Sequence, residues 1–261
     1  MGRLTWSVVC AALIAVPIGC SDDESDAGGG GAGASGGSGG GAAGMGGAGG
    51  LDTVTLSTMV SEAPSLDGEL FNGPPLEGVE LCETDTTNCA TTGVDGTASI
   101  TLPAFQEFSF TLSKEGYAPY LAGDVSEVPA ISTGNYPMVS DALMEQESER
   151  LMFEWPSNST GLLALAAFPV QAGVVWAVDD QSAVAYYQNA EGVAQTDLSA
   201  TTSFGRGGFY EVSEGVHEVD FGGTASNCSV RTAWPSGSAG QIRVPIRAGH
   251  ISFGSMDCDA P

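Results

Sequence analysis

Positive charge is scarce in this sequence. Its 261 residues contain 32 Asp and Glu but only seven Lys and Arg, so the formal net charge at pH 7 is −25. A protein that binds nucleic acid displaces counterions from phosphates with clustered cations, and anionic lipid head groups attract the same clusters. This sequence has no such cluster, which excludes nucleic acid as a partner. The acids are scattered along the chain, so they favour solubility, with divalent-cation binding as the alternative.

Histidine and closely spaced cysteine are scarce as well. The chain has two histidines, His217 and His250, and no Cys-x-x-Cys motif, whereas a structural zinc site needs four Cys or His ligands at short spacings. His217 shares the parity of Val219 and should end an inward-facing row. His250 alternates with Ile251 and should point outward. We therefore expect no metal site, no cofactor and no catalytic residue.

The N-terminal apolar run is too short to cross a membrane. A transmembrane helix needs roughly 20 apolar residues, and the run from Leu4 to Ile18 has about fifteen. With Arg3 before it and Ile18-Gly19-Cys20 at its end, it resembles a bacterial lipoprotein signal. That resemblance implies a cleaved signal peptide at 1–19 and a lipid on Cys20 that anchors the chain to a membrane. Ser21 points to the outer membrane. Plain secretion is the alternative.

A glycine-rich tether follows the proposed anchor. From Ala27 to Gly50 the chain consists of fifteen Gly, six Ala, two Ser and one Met, which provide no side chains for a core. We expect the linker at 20–50 to behave as a random coil with an end-to-end distance of about 30 Å. Such a tether would hold a folded domain near the membrane but off its surface.

Four cysteines remain for the folded part of the chain. Cys10 leaves with the signal peptide and Cys20 takes the lipid; the others are Cys82, Cys89, Cys228 and Cys258. An even number in an oxidising compartment indicates disulfides, for which three pairings are possible. Sequence proximity favours Cys82 with Cys89 and Cys228 with Cys258, one bridge in each half of the chain.

From Leu51 onward the pattern predicts an all-β structure. Short runs rich in Val, Thr, Phe and Tyr alternate with period two, as at Phe108, Phe110 and Leu112, and turn signals such as Asp95-Gly96 separate them. A helix is predicted from about Asp141 to Phe153, capped by Ser140. We expect two Greek-key β-sandwiches at 51–137 and 159–261, joined by a helical spacer at 138–158; a buried helix is the alternative.

The first half contains a more specific pattern. It comprises Pro75 to Cys82, then Cys89, then Thr-Thr-Gly-Val-Asp-Gly at 91–96, then Leu-Pro-Ala at 102–104 and Ser-Lys-Glu-Gly-Tyr-Ala-Pro at 113–119. These segments resemble a carboxypeptidase regulatory-like domain over 66–128, and the region after Gly161 resembles it loosely. The resemblance implies a transthyretin-like sandwich that serves as an accessory or adhesive module. It brings no catalytic residues.

Two other functions stay open at this stage. A hydrolase could use acids that converge between the domains, and a glycan-binding protein could use exposed aromatic rings. The candidate acids are Asp179, Asp180, Asp257 and Asp259, and the candidate aromatics are Trp155, Trp176, Trp234, Tyr186 and Tyr187. The favoured hypothesis is a non-enzymatic envelope lipoprotein for binding, adhesion or structural support. Its partner would be a protein or a glycan of unknown identity.

Overall fold

The computed structural model describes residues 52–66, 70–126 and 130–259. The proposed signal peptide, the lipidation site at Cys20 and the linker at 20–50 lie outside the described residues. In the described part, residues facing a core alternate with residues facing solvent. On the first strand, for example, Val54, Leu56 and Val60 are buried, while Thr53 and Thr55 are exposed.

The first half of the chain forms seven strands. They are β1 (Thr53–Glu62), β2 (Glu80–Glu83), β3 (Cys89–Thr91), β4 (Thr97–Pro103), β5 (Glu107–Ser113), β6 (Tyr120–Val125) and β7 (Ala130–Met138). Tight turns separate them where the sequence indicated. At Asp95-Gly96 the glycine has a φ of +74°, and the Asp95 carboxylate accepts hydrogen bonds from the backbone and hydroxyl of Thr97.

The second half begins with the helix α1 (Asp141–Leu151) and continues with ten strands. They are β8 (Thr160–Phe168), β9 (Val174–Val178), β10 (Val184–Gln188), β11 (Ala194–Gln195), β12 (Arg206–Ser213), β13 (Gly215–Gly223), β14 (Ser229–Thr232), β15 (Trp234–Pro235), β16 (Gln241–Ile246) and β17 (Ile251–Asp257). Seventeen strands and one helix among the described residues confirm the expected all-β class.

The helix begins and ends close to its predicted bounds. Ser140 caps it, with its hydroxyl accepting a hydrogen bond from the backbone N–H of Leu143, and Met152 ends it in a left-handed conformation. Met144 and Leu151 are buried, so α1 packs on a sheet as well as linking the two halves. Among the described residues, no helix has the length and apolar character needed to cross a membrane.

The strands of the described residues form three sheets. One sheet has ten strands in the order β11-β10-β12-β8-β17-β6-β5-β2-β3, with β14 beside the end of β17. The other two are a three-stranded sheet, β4-β1-β7, and a four-stranded sheet, β15-β16-β13-β9. Strand β17 lies parallel to both β8 and β6 and so joins the halves into one continuous sheet. The division into domains at 137 and 159 stays a prediction.

The two smaller sheets cover opposite faces of the ten-stranded sheet. On β8, Leu162 and Ala164 belong to the core beneath the three-stranded sheet and α1, whereas Leu163 and Leu165 belong to the core beneath the four-stranded sheet. Because neighbouring residues of a strand point to opposite faces, β8 contributes to both cores. The same alternation holds on β10 and β17.

The cysteines lie in the expected pairs. Cys82 and Cys89 are register partners in β2 and β3, with their sulfur atoms 2.10 Å apart. Cys228 and Cys258 have sulfur atoms 2.08 Å apart and connect the segment before β14 to the end of β17. Both pairs are therefore at disulfide distance, one in each half of the chain.

Candidate functional site

The four candidate acids have different partners. Asp179 and Asp180 follow β9, whereas Asp257 ends β17 and contacts Arg231 at 3.0 Å. Asp259 accepts a hydrogen bond of 2.7 Å from the side chain of Asn227. None of the four lines the cavity described below. These contacts account for the acids without a shared catalytic site, and the hydrolase alternative stays a prediction.

Asp179 nevertheless belongs to a cluster that has the residue types of a serine hydrolase. Its carboxylate lies 2.8 Å from Nδ1 of His217, and Nε2 of the same ring lies 3.4 Å from the hydroxyl of Ser213. Ser213 was not among the residues predicted from the sequence. Its position four residues before His217, across the turn between β12 and β13, could have indicated that the two side chains lie close together. His217 itself is partly buried in the row of Val219, as predicted.

The hydrogen bonds of this cluster do not activate Ser213. Its hydroxyl donates to the Asp180 carboxylate at 2.7 Å, and Nε2 of His217 lies closer to the Ser213 carbonyl oxygen, at 2.9 Å. A general base must accept the proton of the nucleophile, but here both ring nitrogens face acceptors. The cluster connects the end of β9 to the turn between β12 and β13, which is a structural role.

Asp180 is the most strongly hydrogen-bonded member of the cluster. Desolvation alone would raise the pKa of its carboxyl group, but hydrogen bonds from the hydroxyls and backbone N–H groups of Ser182 and Ser213 outweigh it and hold the pKa far below its usual range. At neutral pH Asp180 is thus an ionised acceptor that fixes the loop after β9.

The candidate aromatic residues do not form an exposed platform. Trp176, Tyr186 and Tyr187 are buried, and the rings of Trp176 and Tyr187 stack with centroids 5.1 Å apart. Trp234 is partly buried, and its Nε1 donates a 2.7 Å hydrogen bond to the carbonyl of Phe108. Trp155 is also partly buried and packs against the core. A glycan platform built on these rings is therefore contradicted by their burial.

His250 departs from its predicted outward position. Its ring is partly buried, with Nδ1 2.9 Å from the carbonyl oxygen of Ala248, and this burial lowers its pKa. The alternation of His250 with Ile251 does not predict its orientation, because His250 lies in the turn before β17, outside the strand. Lys114 lies in the Ser-Lys-Glu-Gly-Tyr segment after β5, where its ammonium group donates to the Glu77 carbonyl at 2.6 Å.

A cavity of about 500 Å³ lies beside the helix on the ten-stranded sheet. On one side, Tyr136 of β7 contacts Phe253 of β17, with ring centroids 5.7 Å apart. In the same core, Phe153 just after α1 stacks on Tyr210 of β12, with centroids 4.9 Å apart. The three-stranded sheet and the helix segment each cover part of this face. The cavity lies where neither covers it fully.

The cavity wall is mainly apolar. Half-buried Ala164 and Ala166 of β8 line its floor together with Phe253, while Met144 of α1 contributes to its wall. Tyr186 also lines it, and burial raises the pKa of that phenol, which stays neutral. A cavity of this volume, with an apolar lining and few polar groups, has the features of a small-molecule binding site. It is the candidate functional site.

Comparisons with known proteins identify no family. No protein-family model matches the chain. No curated protein matches it either. Among solved structures, it is similar to a type II cohesin–X–dockerin complex from Acetivibrio cellulolyticus, at 18% identity over 33% of this chain and 56% of that chain, with a TM-score of 0.27. It is also similar to GBS52, the minor pilin of Streptococcus agalactiae, at 15% identity over 80% of this chain and 97% of that chain, with a TM-score of 0.25. TM-scores this low carry no inference about function.

Proposed function

We propose that this chain is an exported envelope lipoprotein whose β-sandwich ectodomain acts by binding, in adhesion or structural support, and not by catalysis. The signal peptide at 1–19, the outer-membrane anchor at Cys20 and the linker at 20–50 are supported by the sequence pattern. The two cysteine pairs at disulfide distance support an oxidising compartment.

One observation carries the binding role. The described residues form an apolar cavity, while the cluster of Asp179, Asp180, Ser213 and His217 lies outside that cavity and its members bind each other. The Ser213 hydroxyl donates a hydrogen bond to Asp180, and His217 Nε2 lies closest to the Ser213 carbonyl oxygen. The cavity beside α1 has the size and lining of a ligand site. A binding module therefore explains the placement of apolar and polar groups better than an acid-base enzyme does.

The relationship of the first half to carboxypeptidase regulatory-like domains is part of the proposal. Two features of the structure support it. The Asp95-Gly96 turn and the hairpin corner at 113–117 each contain a glycine with positive φ, +74° at Gly96 and +85° at Gly116, as the turns of that pattern require. The domain would serve as an accessory module.

Membrane anchoring is tested by Cys20→Ser in a bacterial host. We expect the wild-type chain in the membrane fraction, with mass spectrometry showing acyl chains on its N-terminal cysteine, and the variant in the soluble fraction. Cys10→Ser, inside the proposed signal peptide, is the matched control and should fractionate as the wild type does. Retention of the Cys20→Ser variant in the membrane would contradict the lipid anchor.

The binding role is tested by two measurements on the purified chain. A panel of ester, peptide and glycoside substrates should show no turnover above the level of a Ser213→Ala variant. Retrieval from envelope extracts should recover a reproducible partner or small molecule. Turnover that disappears in the Ser213→Ala variant would refute the non-enzymatic role.

A further inference from the structure

Arg206 stands apart from the other cations of the described residues. Each of the others contacts an oxygen: Lys114 at Glu77, Arg150 at Glu147, Arg231 at Asp257, Arg243 at Glu107 and Arg247 at Asp85. Within residues 52–66, 70–126 and 130–259, Arg206 has no carboxylate and no hydrogen-bond acceptor as a partner. In a chain with 32 acids, an unpaired arginine is a conspicuous exception.

The guanidinium group of Arg206 lies at the wall of the apolar cavity. Its Cζ is 4.7 Å from the ring centroid of Phe71 and 5.1 Å from that of Phe204. These rings hold it in a partly desolvated position, and the desolvation lowers its pKa. A guanidinium removed from water in this way gains from an anion that accepts its N–H groups.

Two unpaired amide oxygens belong to the same cavity. Asn135 Oδ1 and Gln188 Oε1 are buried without a hydrogen-bond partner among the described residues, and both residues line the cavity. Gln188 lies near Arg206, since Tyr187 of β10 pairs with Gly207 of β12. Buried polar groups are normally satisfied; both atoms are acceptors, so water or another hydrogen-bond donor that enters with a ligand would satisfy them, and a carboxylate would not.

Among the described residues, the cavity therefore combines an apolar body with one available positive charge. The one carboxylate among its described lining residues, Glu147, is bound by two nitrogens of Arg150, and its second arginine, Arg231, is bound by Asp257. Neither offers a free charge. Arg206 is the group that remains to select a ligand by charge.

We propose that this cavity binds a long-chain carboxylic acid, with the hydrocarbon chain among Ala164, Ala166 and Phe253 and the carboxylate on the guanidinium of Arg206. The apolar wall provides affinity by removing the chain from water, and the charge-assisted hydrogen bonds distinguish an acid from an uncharged lipid. This inference deepens the binding role proposed above and rests on it. It names a ligand that no comparison suggests.

The test measures binding of hexadecanoate and hexadecan-1-ol to the full chain carrying Cys20→Ser, so that an attached lipid cannot occupy the cavity. We expect hexadecanoate to bind and Arg206→Gln to raise its Kd by about tenfold or more. Hexadecanol should bind more weakly, and Arg206→Gln should leave its Kd unchanged. Arg247→Gln, which removes an exposed arginine outside the cavity, is the matched control and should leave hexadecanoate binding unchanged.

A second variant guards against a folding defect in Arg206→Gln. Ala166→Leu keeps the charge but narrows the cavity, so it should weaken hexadecanoate more than octanoate, and both variants should show the thermal transition of the parent. The proposal is overturned if hexadecanoate does not bind, if hexadecanol binds as tightly, or if the two arginine variants behave alike. Those results would leave the anchor and the absence of turnover untouched, so the two proposals can fail separately.

Discussion

Gly123 and Trp234 form a contact between the two halves of the chain whose energetics can be predicted. Gly123 lies in β6 of the first half and Trp234 in β15 of the second. A Cβ atom on Gly123 would lie 2.9 Å from Trp234 Nε1 and 3.1 Å from its Cε2. The indole cannot easily move away, because its Nε1 donates to the Phe108 carbonyl at 2.7 Å.

We expect Gly123→Ala to destabilise the fold by about 1–3 kcal/mol, the usual cost of overpacking, reduced by about 0.4–1 kcal/mol because alanine restricts the unfolded chain. Trp234→Phe removes the N–H donor and should cost about 1–2 kcal/mol. In the Trp234→Phe background the crowded nitrogen is absent and the contact with Pro245 Cδ at 3.2 Å remains, so Gly123→Ala should cost less than in the parent. The two changes should therefore couple by about 1 kcal/mol or more.

The assay is urea unfolding followed by tryptophan fluorescence and far-UV circular dichroism. Gly222→Ala in β13 is the matched control, since its Cβ would meet only the Val175 carbonyl oxygen at 3.9 Å; it should change stability little. Additive effects of Gly123→Ala and Trp234→Phe would refute the steric reasoning. Two separate unfolding transitions in the parent would show that the shared sheet does not make the halves cooperative.

Two further predictions concern the loop after β9 and the cysteine pairs. Because the folded-state pKa of Asp180 is depressed, its contribution to the free energy of unfolding is fully present above the unfolded value of 3.8 and is lost as the pH falls below that value. In urea unfolding, Asp180→Asn should therefore lower stability by about 1–2 kcal/mol at pH 7 and by less at pH 3. An equal loss at both pH values would contradict the role of the ionised carboxylate. Replacing Cys228 and Cys258 by Ala should lower the free energy of unfolding by about 3–4 kcal/mol, and replacing Cys82 and Cys89 by about 2–3 kcal/mol, because the closed loops span 30 and 7 residues. Peptide mapping without reduction should find these two pairs. A bridge from Cys82 to Cys228 or Cys258 would refute the pairing.

Features that depend on neighbouring residues were predictable from the sequence. Alternation at Phe108 and Phe110 identified a strand, Asp95-Gly96 a turn, and Ser140 the start of a helix, and the structure has each of them. The cysteine pairs followed from an even count and short separations. These signals work because periodicity, capping and positive φ are local properties of the chain.

Features that depend on distant residues were not predictable in this way. Alternation shows that Leu163 and Leu165 share a face of β8, but it does not show which sheet covers that face. For the same reason, the sequence did not show whether Trp176 and Tyr187 are buried or exposed. The pairing of β17 with β6 brings Ile251 beside Tyr120, and no local pattern encodes it. The meeting of Asp180 with Ser213 has the same origin.

The sequence by itself determined the acidic composition and an all-β chain with its helix and cysteine pairs, while the lipoprotein signal ending at Cys20 stays a prediction. Only the tertiary structure decided that the two halves share one sheet, that Asp180 meets Ser213, and that Arg206 lies at an apolar cavity with no carboxylate partner among the described residues. The physical reason is that composition and periodicity act over a few residues. A cavity and an unpaired charge exist only once strands far apart in the chain have chosen their neighbours.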